Sequence, residues 1–216
     1  MQDKILVLGS HTEEILRNSV AVLQQGDVSE ATALLTRSCQ LIKNCSGTEN
    51  DALALLATQQ PMAGDLRFLA AVFQISLELG RVTNHAGEIA RISLKLGQPR
   101  HPEAFLIINH LAEATISMFH QAVGAFAERD ALSARAIAGQ DDEIDDLYGY
   151  ANQQLRTMSR MDPHLANQTL FLSQAAHELE RVGDRATNIC EWVLYAVTGE
   201  LLETNIGVYE RTHNNL

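Results

Sequence analysis

The chain carries one helical motif twice, 100 positions apart, and this repeat limits the possible folds more than any other feature of the sequence. Residues 78–89 align with residues 178–189, and six positions are identical in the two copies. The identical positions are Glu78/Glu178, Leu79/Leu179, Arg81/Arg181, Val82/Val182, Ala86/Ala186 and Ile89/Ile189. Self-similarity at a fixed distance indicates that one structural unit has been duplicated.

The second copy has two chemically different faces when its residues are placed on a helix at about 100° per residue. The apolar stripe consists of Leu179, Val182, Ala186, Ile189 and Val193. The opposite stripe consists of His177, Glu180, Asp184, Asn188 and Glu191. We therefore predict that one face packs in a core and that the other presents oxygen and nitrogen ligands.

Composition and pattern together predict an all-α fold. Hydrophobic residues make up 46% of the chain and aromatic residues only 5%, so alanine and leucine supply most of the apolar surface, which favours helix. No stretch alternates with the period of two that a strand requires. We predict two tandem three-helix bundle repeats, residues 1–98 and 102–199, joined by a linker rich in glycine and proline. Residues 200–216 are expected to form a partly disordered tail.

Local signals predict where some helices begin and end. Ser10 followed by Glu13 has the form of a capping box, so the first helix is expected to run from near Ser10 to Gln25. Gly47 is expected to interrupt or end the second helix. In the second repeat, residues 131–160 are predicted to form one helix that is broken at residues 161–164.

Charge and cysteine content exclude some classes of function. The net charge of −11 argues against a nucleic-acid groove and against direct contact with anionic lipid. No stretch approaches the roughly 20 apolar residues of a membrane-spanning helix, so direct membrane insertion is not expected. An odd number of cysteines without a secretion signal favours a reducing cytoplasm. Each of the three is expected to pack inertly on an apolar helix face: Cys39, Cys45 and Cys190.

The second repeat concentrates carboxylates on two neighbouring helices. Glu180 and Asp184 are four residues apart, and residues 141–146 contain five acids in six positions. Asp142 and Asp146 lie opposite the apolar stripe of their helix. If the two helices pack side by side, these four carboxylates meet on one ridge and could hold a divalent ion such as Mg, Mn, Ca or Fe(II). The predicted metal ligands are Asp142, Asp146, Glu180 and Asp184.

Simpler interpretations of these acids stay open. Arg181 and Arg185 could neutralise Glu180 and Asp184 on a solvated face, and the acidic run could serve the helix dipole. A lone histidine at the position of His177 is more often a surface residue than a ligand. Motifs of other chemistries are absent from the sequence, including the phosphate-binding Gly-x-x-x-x-Gly-Lys loop, the Gly-x-Ser-x-Gly elbow and His-Glu-x-x-His.

Two segments resemble signatures of the PhoU family of phosphate-signalling proteins. They are Gln60-Pro-Met-Ala-Gly-Asp-Leu-Arg67 and Leu179-Glu-Arg-Val-Gly-Asp184 with Ala186, Asn188 and Ile189. The resemblance covers nearly the whole chain. It implies a cytoplasmic all-α regulator, expected as a homodimer, that acts with the phosphate ABC transporter and the phosphate-sensing histidine kinase. Such proteins damp phosphate uptake and starvation signalling when phosphate is plentiful.

The resemblance also bears on metal binding. Some family members hold metal clusters through Glu/Asp-x-x-x-Asp motifs, which correspond here to Glu180/Asp184 and to Asp142/Asp146. In the first repeat Gly80 and Asn84 replace one pair of acids, and residues 36–43 contain no acid. We therefore expect at most one metal cluster, on the second repeat, with Fe, Mn or Mg as the ion.

Three classes of function follow from these observations. The leading hypothesis is a non-enzymatic regulator that works through protein contacts and is peripheral to the inner membrane face through its partners. The second is a metal-free helical adaptor, or a divergent paralogue with another partner. The third is a metal-dependent hydrolase, which is disfavoured because the sequence offers no separate general acid or base near a cleft.

Overall fold

The computed structural model describes residues 1–96 and 101–200, and these consist of helices and short turns. The helices are α1 Gln2–Gln25, α2 Val28–Gln59, α3 Gly64–Leu96, α4 Pro102–Glu128, α5 Ala131–Ala138, α6 Asp141–Met161 and α7 Ala166–Thr198, with a 3₁₀ turn at Pro163–Leu165. No strand occurs in these two ranges. The all-α prediction is confirmed.

The helices form two tandem three-helix repeats. The first consists of α1, α2 and α3, and the second of α4, the pair α5 and α6, and α7. The repeats meet along two helix pairs, α3 with α7 and α1 with α4. The predicted three-helix plan is confirmed, whereas the predicted limits 1–98, 102–199 and 200–216 stay predictions. Most of the linker and of the tail lies outside the described residues.

The duplicated apolar stripe forms the centre of the core. In α7 the stripe residues are at most 1% exposed: Leu179, Val182, Ala186, Ile189 and Val193. Their counterparts in α3 are 0% exposed: Leu79, Val82, Ala86 and Ile89. Because α3 and α7 bury these stripes in one cluster, the two repeats share a single core.

Glycine allows α6 to approach α7 closely at one point. A Cβ atom placed on Gly183 would lie 3.0 Å from Cγ2 of Ile144, a buried residue of α6. The absent side chain lets Ile144 sit against the α7 backbone. This contact sets the distance between the acidic N-terminal half of α6 and the ligand face of α7.

Two predicted boundaries in the first repeat are wrong. The helix α1 begins at Gln2 rather than near Ser10, because Ile5 and Leu8 extend the buried stripe by two further turns. Gly47 does not interrupt α2, which continues to Gln59. A glycine in a helix costs only about 1 kcal/mol, which the packing of this long helix outweighs.

The predicted helix over residues 131–160 is divided in the structure. It breaks at Gly139 and Gln140. There the backbone N–H of Gln140 donates to the carbonyl of Ile137, three residues earlier, rather than to the residue four earlier as in an α-helix. Glycine weakens the helix at this point, and the acids that follow favour a new helix N-terminus. The acidic run therefore begins α6 instead of lying inside a longer helix.

The cysteine prediction is correct for two of the three residues. Cys45 and Cys190 are buried, and burial raises the pKa of each thiol to about 12, which keeps them protonated. Cys39 is exposed, contrary to the expectation that it packs on an apolar face.

Charged residues cross between the repeats beside the shared core. The Glu78 side chain is 4% exposed; Arg81 Nη1 donates to its Oε1 at 2.6 Å, and Arg185 Nη1 lies 3.5 Å from its Oε2. At the corresponding place His85 Nδ1 lies 2.7 Å from Oε2 of Glu178. Since residues 85 and 185 are equivalent, the glutamate of each repeat pairs with the base of the other. The repeated glutamate is visible in the sequence, but its partner across the repeats is not.

Glu78→Ala is expected to lower the free energy of unfolding by about 2 kcal/mol, because Arg185 is largely buried and would keep only Asp184, 3.5 Å away, as a carboxylate partner. Urea denaturation measures this change. Glu178→Ala is the matched control at the equivalent position, where the carboxylate is more exposed and the expected loss is about 1 kcal/mol. Equal losses in the two variants would contradict the assigned role of Glu78.

Candidate metal centre

Four carboxylates lie in the region where the start of α6 packs against the middle of α7. They are Asp141, Asp145, Glu180 and Asp184, here named the acidic cluster. The negative charge of Asp184 raises the pKa values of the other three, so each of them lies within the electrostatic influence of Asp184. Two of the acids come from each helix, so the cluster depends on the close contact at Gly183.

Burial and mutual repulsion make the charged form of this cluster unfavourable. Burial is the larger cause and Asp184 the second, and together they raise the pKa of Glu180 to about 7 and that of Asp141 to about 6. The pKa of Asp145 is raised by the same two causes. The nearby Thr187 side chain partly opposes the rise in the pKa of Asp141. At neutral pH the cluster therefore holds more negative charge than its surroundings stabilise.

Arginine neutralises only part of the cluster. Arg181 Nη1 donates to Asp184 Oδ2 at 2.7 Å, and Arg185 Nη2 lies 3.5 Å from the same oxygen. Oε2 of Glu180 is buried and accepts no hydrogen bond from the described residues, although His177 Nδ1 lies 3.4 Å away. The two arginines neutralise the charge of Asp184, but one oxygen of Glu180 stays without a hydrogen-bond donor in the described part of the chain.

The structure places the predicted ligands in two different environments. Glu180 and Asp184 belong to the acidic cluster, whereas Asp142 and Asp146 are exposed on the outer side of α6. The helix α6 buries its apolar stripe against α7, so acids at the edge of that stripe face α7 and acids opposite to it face solvent. Asp141 and Asp145, one residue earlier in each case, are the α6 acids whose pKa values are raised by Asp184. The predicted ligand set with Asp142 and Asp146 stays a prediction.

The donor chemistry of the acidic cluster suits a hard divalent ion. Carboxylate oxygens are the ligands that Mg and Mn prefer. A bound ion would give the Glu180 carboxylate a positively charged partner for its unsatisfied oxygen. The side-chain positions are less suitable, because across residues 1–96 and 101–200 no three His, Cys, Asp or Glu side chains are placed to hold one ion. The residues fit the ion by chemistry, and Glu180 with its unsatisfied oxygen is the first candidate ligand.

The first repeat has a cavity at the equivalent place. Its volume is about 320 Å³, and it lies between α2 and α3 beside Gly80 and Asn84. Glu49 lines this cavity, and burial raises its pKa. Glu49 lies beyond residues 36–43, the segment that the family motif indicated, so the sequence pattern did not point to it. The first repeat thus offers one carboxylate where the second offers four.

The whole arrangement defines a class of protein: two copies of one three-helix unit around a shared core, with acids kept on one copy. The family model described as PhoU domain matches residues 5–93 and again residues 108–193. The chain belongs to the PhoU family. In the part of the chain that the structure describes, no helix is long and apolar enough to cross a membrane.

Similar proteins extend over nearly the same length. A phosphate-specific transport system accessory protein PhoU homolog of Clostridium acetobutylicum is 28% identical over 206 residues, covering 95% of this chain and 94% of that protein. The accessory protein PhoU of Escherichia coli K12 is 26% identical over 200 residues, with 93% and 83% covered. The crystal structure of PhoU from Pseudomonas aeruginosa superposes with a TM-score of 0.85 at 28% identity, covering 92% of this chain and 95% of that one.

Glu180→Gln is expected to stabilise the protein above neutral pH. Between the usual pKa near 4.5 and the raised pKa of about 7, the folded state binds more protons than the unfolded state, so the stability of the wild type falls as the pH rises. The variant should gain about 1–2 kcal/mol at about pH 8, after allowance for solvent screening, and nothing below about pH 4.5.

Urea denaturation in the presence of a chelator, repeated across this pH range, measures the difference between wild type and variant. Glu113→Gln, at an exposed position of α4, is the control and should match the wild type at every pH. A Glu180→Gln variant whose stability follows the wild type throughout would contradict the unfavourable charge of the cluster.

Proposed function

We propose that this protein is a non-enzymatic cytoplasmic regulator of phosphate uptake and phosphate-starvation signalling. One observation carries the proposal: the family match includes both repeats, so the whole architecture corresponds to that of proteins named phosphate transport accessory proteins. The solved PhoU structure from Streptococcus pneumoniae, at 25% identity, is described as a phosphate transport system regulatory protein. An accessory role of this kind works through contact with other proteins.

The proposed partners are components of the phosphate ABC transporter and the phosphate-sensing histidine kinase. Contact with them would hold the protein at the inner face of the membrane without inserting it. A homodimer is part of the same proposal. The exposed side of α6, which carries both acids and arginines, is available for such contacts because the core uses only its inner side.

The acidic cluster is proposed to bind a divalent ion, with Fe, Mn or Mg as candidates. Asp141 and Asp145 with Glu180 and Asp184 form the favoured ligand set, and the sequence-based set places Asp142 and Asp146 in the first two positions instead. A bound ion would supply positive charge where four carboxylates repel one another, and so join α6 to α7 more firmly. By joining the two helices, the ion would make the surface of the second repeat more rigid, and a partner protein would bind this more rigid surface.

One observation favours the metal-free adaptor as a second candidate. In the described ranges no three acidic side chains converge on a common point, and α6 packs against α7 through buried apolar residues. The helical surfaces alone would then recognise the partner.

Metal binding is tested by paired neutralisation of adjacent acids. Wild type loaded with Mn²⁺ should retain the ion in elemental analysis after gel filtration and should melt at a higher temperature than protein treated with chelator. Asp141→Asn and Asp184→Asn should lose both effects, while Asp142→Asn should keep them. Loss with Asp142→Asn and Asp184→Asn, but not with Asp141→Asn, would favour the sequence-based ligand set. Protein that retains no ion under any loading condition would leave the metal-free adaptor.

The regulatory role is tested in the native host. Deletion of the gene should switch on phosphate-starvation genes in phosphate-rich medium, and a plasmid copy should restore repression. Tagged protein from the same phosphate-replete cells should capture components of the phosphate transporter, whereas a tagged unrelated helical protein should not. Normal repression in the deletion strain would refute the proposed function whatever the tagged protein captures.

A further inference from the structure

The outer side of α6 carries a stripe of exposed residues that the core and the acidic cluster do not use. Its members, here named the outer stripe, are Asp142, Asp146, Gly149, Gln153, Arg156 and Arg160, and all six are exposed. Their spacing keeps them within about 80° of the helix circumference over about 27 Å of its length. A stripe this narrow and long has the shape of a contact with another helix.

The charges of the outer stripe are arranged symmetrically with opposite sign. Asp146 and Arg156 each lie five residues from position 151, and Asp142 and Arg160 each lie nine residues from it. An antiparallel copy of α6 turned about position 151 would therefore place each aspartate opposite an arginine. A contact of this kind uses the same patch on both subunits, as two-fold dimers require.

The four charged residues have no partners within the described chain. None of them forms an ion pair or hydrogen bond in residues 1–96 or 101–200, whereas six other arginines contact a carboxylate. Those arginines are Arg17, Arg37, Arg81, Arg91, Arg181 and Arg185. Like charges four residues apart also disfavour the isolated helix, so the outer stripe gains stability only from charges outside it.

The helix dipole explains part of this arrangement but not its extent. Acids in the first turn and bases in the last turn are favourable, which accounts for Asp142 and Arg160. The effect falls off beyond the terminal turns, and Asp146 and Arg156 lie inside the helix Asp141–Met161. The dipole also does not require the four residues to share one narrow stripe.

We propose that the outer stripe is the contact between two copies of this chain, packed antiparallel through α6. Asp146 faces Arg156 of the partner subunit, and Asp142 faces Arg160 of the partner subunit. Gly149 faces Gln153 of the partner subunit near the two-fold axis. A Cβ atom placed on Gly149 would meet nothing within 4 Å, so there is room for the longer glutamine side chain. This inference rests on the proposed homodimer and assigns its interface.

A groove beside the arginine half extends the contact surface. It has a volume of about 440 Å³ and lies between α6 and the start of α7, where Leu170 is 56% exposed. One pair of helices buries less area than a stable interface of about 1,200 Å² requires, so apolar surface such as Leu170 contributes as well. Because the four ion pairs across the interface are exposed to solvent, the dimer weakens as the salt concentration rises.

The proposal is tested with two variants of uniform charge. Arg156→Asp/Arg160→Asp makes the outer stripe wholly acidic, and Asp142→Arg/Asp146→Arg makes it wholly basic. In sedimentation velocity at low salt the wild type should be a dimer, and each variant should associate about a hundredfold more weakly. An equimolar mixture of the two variants should form a heterodimer, because an acidic stripe then faces a basic one.

Arg135→Asp, at an exposed position of α5, is the control and should leave the dimer intact. Circular dichroism should show wild-type helix content in every variant. A monomeric wild type at low salt would overturn both the proposed homodimer and this interface. Dimers in both uniform-charge variants, or a mixture that does not associate, would overturn the interface alone. The phosphate-dependent repression tested above does not depend on either outcome.

Discussion

The packing of α3 against α7 holds the structure together. Each helix carries one copy of the repeated motif, and the apolar residues of both copies are buried where the two helices pack together. The crossed pairs of Glu78 with Arg185 and Glu178 with His85 lie beside this contact and fix its register. Because the core is shared, neither repeat buries its own apolar surface without the other, and the remaining helices pack around this central pair.

Duplication has kept the packing and changed the chemistry. Four buried apolar positions are identical in the two copies, Leu79/Leu179, Val82/Val182, Ala86/Ala186 and Ile89/Ile189. The outward residues were free to diverge, and Gly80 with Asn84 now line a cavity where Glu180 and Asp184 belong to the acidic cluster. This asymmetry places the acidic cluster in the second repeat, between α6 and α7.

The fold was largely predictable because helix period and burial act over many residues. The buried stripe of α7 follows directly from the spacing of apolar side chains. Single positions were less predictable: Gly47 is tolerated inside α2, whereas Gly139 marks a break. At the candidate site the sequence indicates which helices carry acids, but whether Asp141 or Asp142 faces α7 depends on how α6 is rotated. Only tertiary packing determines that rotation.

Gly183 has no functional group, yet the acidic cluster depends on it. Because Gly183 has no side chain, Ile144 packs directly against the α7 backbone, and this contact sets the separation of the two helices that carry the carboxylates. Any larger residue there would act as a wedge and move both pairs of acids apart without altering one of them. In a saturation mutagenesis experiment position 183 should therefore be as intolerant as a ligand position, although its constraint is one of volume.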